Sequence, residues 1–294
     1  MQTLAHIRAL LEARGLSPRK SLGQNFLIDH NLINKLIDTA NPAPNDIILE
    51  IGPGTGVLTE ALLARNLRVV ASELDQGLAA LLRETITPRY DSSRFTLVQG
   101  DCLAGKHALN PNVLAALDSF KAASLADPAD STFTMIANLP YAAATPAMLV
   151  LLADHPRCKG FFVTIQHEVA DRMLAKPHSK DYGPLSVLVA ATSRAWHIAK
   201  LPPECFWPRP GVISSMIGVT RHPPSSPATL TTNPRALVDF AQSLFVQRRK
   251  QIGSILGRDR EYPAGITSTM RAEELTPAQF VQLMNAPAPS ANAT

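Results

Sequence analysis

From residue 46 onward, short apolar runs rich in Val, Ile and Phe return at regular intervals, and this constrains the fold more than any other feature. They are DIILEIG (46–52), RVVASEL (68–74), FTLVQGD (95–101), FTMIANL (133–139), GFFVTIQ (160–166), SVLVAAT (186–192) and SMIGVTR (215–221). Helix-patterned stretches such as VLTEALLAR (57–65) and GLAALLRETI (77–86) separate the earlier runs. Continuous apolar strands alternating with helices specify a parallel sheet covered on both faces, an α/β fold. The last two runs follow each other with no obvious helix between them, which predicts an antiparallel hairpin at one edge of a seven-stranded sheet.

The Pro/Ser/Thr segment PPSSPATLTTNP (223–234) marks a boundary between a larger domain, 1–222, and a smaller one, 223–294. In the smaller domain, ALVDFAQSLFVQ (236–247), QIGSIL (251–256) and TPAQFVQLM (276–284) read as short helices, and the tail from 285 reads as disordered. Residues 104–131 form a long connection expected to hold a helix. No run approaches the roughly 20 apolar residues of a membrane helix. Three widely spaced cysteines (Cys102, Cys158, Cys205), none in a CxxC, argue against a disulfide scaffold or zinc ribbon and for a reducing cytoplasm. Lys and Arg total 28 against 24 Asp and Glu, and the excess of four lies in residues 200–294, with 10 basic and 6 acidic side chains.

The first apolar run leads directly into Gly52-Pro53-Gly54-Thr55-Gly56, preceded by Glu50. A strand, a glycine loop and a helix let an anionic ligand approach the backbone. Glu73 closes the second run 21 residues after Gly52, where a carboxylate can accept both hydroxyls of a ribose; Asp101 closes the third, where it can accept from an adenine amino group. Ends of successive parallel strands share one sheet edge. The pattern fits an adenosine-containing cofactor. GxGxG favours S-adenosylmethionine over the GxGxxG dinucleotide fingerprint; the plainer reading is a tight turn.

Asn138-Leu139-Pro140-Tyr141 closes the fourth run. An exocyclic adenine amine is a weak nucleophile because its lone pair is delocalised into the ring. The Asn138 side-chain oxygen and the Leu139 carbonyl can accept its two N–H groups and favour a pyramidal nitrogen. Pro140 fixes that backbone, and Tyr141 offers a flat face for stacking. The plainer alternative is an ordinary strand-ending turn.

With SLGQNFLID (21–29), EIGPGTGVLTE (50–60), ELD (73–75), GDCL (100–103), NLPY (138–141), YGPLSVL (182–188), FWPRPGVISS (206–215) and FVQRRKQIGSIL (245–256), the chain resembles the ribosomal RNA adenine N6,N6-dimethyltransferase family, small-subunit type, from about residue 19 to 285. The resemblance implies a Rossmann-like, S-adenosylmethionine-dependent methyltransferase sheet with a small C-terminal helical domain. It implies cofactor contacts at Asn25, Leu27, Gly52, Glu73, Asp101 and Asn138, with Gln24 shaping the pocket. The target-base motif falls on Asn138, Leu139, Pro140 and Tyr141, with Phe206 as a second aromatic wall. No metal is implied, and His167-Glu168 reads as a helix start, not a zinc motif. The partner implied is small-subunit rRNA in an immature 30S particle, with no membrane and a monomeric enzyme. Arg248, Arg249 and Lys250 are the foremost RNA-docking candidates, with Arg258, Arg260, Arg14, Arg19 and Lys20 behind them. Departures from the family pattern are Ala142-Ala143-Ala144 after NLPY, Gly211, and the Gln251-Ile252-Gly253-Ser254 continuation; several of them remove polar or basic groups from expected RNA-facing surfaces. The rival readings are a large-subunit 23S rRNA adenine methyltransferase of the macrolide-resistance type and a non-catalytic assembly factor.

Overall fold

A computed structural model describes residues 2–105, 108–120 and 132–286. The strands are β1 (Phe26–Leu27), β2 (Ile47–Ile51), β3 (Arg68–Glu73), β4 (Phe95–Gln99), β5 (Phe133–Asn138), β6 (Cys158–Gln166), β7 (Ser193–Leu201), β8 (Phe206–Trp207) and β9 (Ser214–Arg221). The helices are α1 (Leu4–Glu12), α2 (His30–Ala40), α3 (Val57–Ala64), α4 (Gln76–Thr85), α5 (Pro111–Ser119), α6 (Tyr141–Asp154), α7 (His167–Leu174), α8 (Pro184–Thr192), α9 (Pro234–Phe245), α10 (Gly253–Leu256) and α11 (Pro277–Asn285).

Seven strands form one mixed sheet in the order β4-β3-β2-β5-β6-β9-β7, while β1 and β8 pair separately. Neighbours from β4 to β6 are parallel. The chain runs outward from β2 through β3 to β4, then returns to place β5 on the other side of β2. That reversal leaves a crevice beyond the carboxyl ends of β2 and β5, where open α/β sheets bind ligands. All five residues of β2 are buried, as its central place requires.

One expectation is corrected. SVLVAAT (186–192) is not a strand: Pro184–Thr192 is α8, and the strand follows at Ser193–Leu201. A short apolar run has no periodicity that separates buried helix from buried strand. Here the start decides, with Pro184 at the first helical position and the Ser186 hydroxyl accepting from Gly183 N at 3.1 Å. The edge is still antiparallel, since His222 N donates to Thr192 O while Gly218 lies against Trp196. The expected helix within 104–131 is α5; residues 106–107 and 121–131 of that connection, and 287–294 of the tail expected to be disordered, lie outside the described residues.

The chain forms two compact units. The first comprises Met1–Leu151, His155–Ala170 and Trp196–Val219; the second comprises Leu152–Asp154, Asp171–Ala195 and Thr220–Thr294. No single cut at residue 222 separates them, because α8 packs with the C-terminal helices. Val187 and Ala191 share a core with Leu237, Leu244, Leu275 and Phe280, and the buried Tyr182 donates its hydroxyl to Leu275 O at 3.0 Å. Two of these helices carry their own start signals, Asn233 before Pro234 in α9 and a Thr276–Gln279 capping box in α11.

Candidate active site

In the first unit, the carboxyl ends of β2, β3, β4 and β5 open on a cavity of about 450 Å³, within the usual range for small-molecule sites. Asn25, Gly52, Glu73, Asp101, Asn138, Leu139, Pro140, Tyr141 and Phe206 all line it, as does Gln24. Leu27 does not; it is buried in β1, paired with Phe206 of β8.

The glycine loop is tighter than spacing alone implies. Gly52, Gly54 and Gly56 have φ of 70°, 63° and 87°, a region costly for residues with a Cβ. Protein atoms also occupy the space a side chain would need. A methyl group would lie 2.8 Å from Pro140 Cγ at Gly52, 2.8 Å from Phe26 Cε1 at Gly54 and 2.3 Å from Ile86 Cδ1 at Gly56. The glycines therefore let the loop close against the NLPY turn, against β1 and against the end of α4.

Glu73 is buried, and its carboxylate accepts from Gly54 N at 3.1 Å and Asp75 N at 2.8 Å. A carboxylate has about four acceptor sites, so two remain for incoming donors. Burial pushes its pKa up to about 7, against the lowering effect of those backbone N–H groups. Glu50, deeper still, accepts from Thr59 Oγ1 at 2.7 Å; burial first, and the nearby Glu73 charge as well, push it up to about 8. Asp101 is exposed, with Oδ1 accepting from Leu103 N at 2.9 Å. Between the buried Glu73 and Asp75, Leu74 stands 52% exposed on the cavity wall. Sequence reading passed it over, although an apolar residue between two strand-end acids is a readable signal.

Asn138 Nδ2 donates to the Asn25 carbonyl at 2.8 Å. A carbonyl only accepts, so the nitrogen end of the amide must face it and Oδ1 is the end left for a ligand donor. Leu139 N donates to Thr164 O at 3.1 Å, and Pro140 O accepts from Ala143 N and Ala144 N at the start of α6. Among the described hydrogen bonds none ends on the Leu139 carbonyl. Two unspent acceptors thus sit at adjacent residues, beside the Tyr141 ring. Among the described residues no group of three or more His, Cys, Asp or Glu is placed to hold a metal ion, and no helix is long and apolar enough to cross a membrane.

A family model described as ribosomal RNA adenine dimethylase matches residues 15–288. The chain belongs to this family. It is 36% identical to the ribosomal RNA small subunit methyltransferase A of Geobacillus kaustophilus, over 98% of this chain and 97% of the relative. It is also 36% identical to the protein of that name from Kineococcus radiotolerans, over 94% and 88%. Among solved structures, a dimethyladenosine transferase from Plasmodium falciparum aligns with TM-score 0.65 at 20% identity, covering 88% of this chain and 95% of that one. The 23S rRNA methyltransferase ErmE aligns with TM-score 0.59 at 23% identity, covering 88% and 98%. These two likenesses establish the α/β methyltransferase fold.

In this member of the dimethylase family, the basic candidates separate into engaged and free. Arg248, in the second unit, donates to Glu273 Oε2 at 2.5 Å, to Lys180 O at 2.6 Å and to Ser179 O at 2.9 Å. Arg260 donates to Leu283 O and Ala286 O. Arg14 pairs with Glu84, and Arg19 with Asp75. Arg249, Lys250, Arg258 and Lys20 are exposed, and no described ion pair or hydrogen bond engages their side chains. Val246, 86% exposed, precedes Arg249 and Lys250 by a few residues.

Proposed function

We propose that this chain transfers methyl groups from S-adenosylmethionine to N6 of two adjacent adenines of small-subunit (16S) rRNA in an immature 30S particle, acting as a monomer in the cytoplasm. The orientation of Asn138 carries the proposal: its amide is turned by Asn25 so that Oδ1 is offered to a donor, next to the unspent Leu139 carbonyl. Two acceptors side by side suit an amine with two N–H bonds. Membership of the dimethylase family and the small-subunit name of relatives 36% identical support the choice of substrate.

The residues fit the cofactor. Glu73 keeps two acceptor sites for ribose hydroxyls, Asp101 is open to an adenine amino group, Leu74 is an exposed apolar surface for its ring, and Gly52 and Asn25 complete the wall. When bound, S-adenosylmethionine supplies an electrophilic methyl group on a sulfonium. Asn138 and Leu139 hold the adenine amine and direct its lone pair, Tyr141 and Phe206 stack on the ring, and Pro140 fixes the carbonyl. No strong base is required, since the methylated amine becomes acidic and gives its proton to water. The second unit docks the RNA, with Arg249 and Lys250 contacting phosphate.

The test is tritiated-methyl transfer to small subunits that lack the modification, followed by nucleoside analysis. Dimethyladenosine in 16S RNA is expected. Label only in 23S RNA, or none, refutes the reading.

A further inference from the structure

Tyr141 lines the cavity, yet its hydroxyl is spent elsewhere: it lies 3.1 Å from Ser214 Oγ. Ser214 is fully buried, opens β9, and does not line the cavity. Successive strand residues face opposite ways, and the adjacent, equally buried Ser215 makes its own tie, 2.7 Å from His167 Nδ1 at the start of α7. His167 N also donates to Ile213 O at 3.0 Å. The first turn of α6 is thus fastened to a strand end that is itself held by α7. Stacking requires only the face of a ring; a phenylalanine supplies that equally well, so the hydroxyl of Tyr141 needs another explanation.

We propose that Ser214 is a positioning residue for the target base. Its hydroxyl fixes the Tyr141 ring so that the face is presented to the adenine before the base arrives. Preorganisation of this kind acts on the transfer step, because a stacking wall that must first settle delays the near-attack geometry. The proposal rests on the adenine reading of the site and adds the residue that aims its aromatic wall.

The test uses the full chain and four variants, Tyr141→Phe, Ser214→Ala, their combination, and Ser214→Thr. Each of the first two should slow single-turnover methyl transfer about three- to tenfold, the size of one hydrogen bond, with S-adenosylmethionine affinity by calorimetry unchanged. The double variant should be no slower than either single one, and Ser214→Thr should restore the rate. An independent readout is NMR of protein labelled at tyrosine Cζ, which gives one resonance for each of the four tyrosines. Ser214→Ala should shift the Tyr141 line, identified by its loss in Tyr141→Phe. No methyl transfer by the wild type overturns the adenine reading itself. Wild-type transfer with an unmoved Tyr141 resonance, with multiplicative losses in the double variant, or with no slowing in Ser214→Ala, overturns the positioning role alone.

Discussion

Replacing Gly52 by Ala tests whether the glycine loop and the NLPY turn are one mechanical piece. Two costs add at this position. The residue has φ +70°, and an L side chain in left-handed space costs about 1–2 kcal/mol. The new methyl would also lie 2.8 Å from Pro140 Cγ and 2.9 Å from Cδ, against about 3.5–4.0 Å for a comfortable carbon contact. The Pro140 ring must retreat by roughly 0.7–1.2 Å to restore that spacing, and it is covalently continuous with the Leu139 carbonyl. Displacement of reacting groups by about 1 Å is worth on the order of 100-fold in rate.

Gly15→Ala is the matched control, with φ +62° and no atom within 4 Å of the new methyl. It should show the backbone cost alone, a fall in Tm of about 2–8 °C, and wild-type turnover. Gly52→Ala should melt lower still and transfer methyl about 100-fold more slowly at saturating S-adenosylmethionine in single-turnover assays. If Gly52→Ala is as destabilised as Gly15→Ala but stays within threefold of the wild-type rate, the contact does not couple the two motifs, and the reasoning fails.

Arg248 and its two basic neighbours should behave differently. Arg248→Ala removes the Glu273 ion pair and two carbonyl bonds, so denaturation should show a loss of about 1.5–3 kcal/mol. Arg249→Ala and Lys250→Ala should leave the melting curve unchanged but lower the salt slope of small-subunit binding by up to about one each. Glu50 and Glu73 predict a pH dependence of the free protein. Both pKa values are raised by burial, to about 8 and about 7, so the folded state holds protons that the unfolded chain releases near 4.5. This contribution is complete below the unfolded value and is lost as pH rises through 7 to 8. Urea denaturation between pH 5 and 9 should show stability falling across that window, and Glu50→Gln, which keeps an acceptor for Thr59, should flatten it. Parallel curves would refute the assignment.

The parallel half of the sheet and most of its ligand edge were legible because each rests on local signals. Apolar runs gave β2 to β6, and acids or glycines at their ends gave the cavity wall. The error at 186–192 arose where that signal is degenerate: five consecutive apolar residues, Val187 to Ala191, fit either buried element, and Gly183-Pro184 is the discriminating cue. The basic cluster was degenerate in another way. Nothing local separates Arg248, bound to Glu273 and two carbonyls, from Arg249 beside it.

What sequence could not show is how the motifs brace one another. Asn25 lies 113 residues from the Asn138 amide it orients, and Ser214 lies 73 residues from Tyr141. No periodicity spans such distances, because the fold alone brings the partners together. This also changes what the glycines mean. Read locally, GxGxG offers bare backbone to a ligand. In three dimensions Gly52 admits Pro140 and Gly54 admits Phe26, the residue next to Asn25. The two loop glycines and the Asn25 carbonyl therefore act on the same object, the relative placement of the glycine loop and the Asn138 amide. A side chain at either glycine should therefore disturb methyl transfer by shifting that placement, beyond any contact it makes in the cavity.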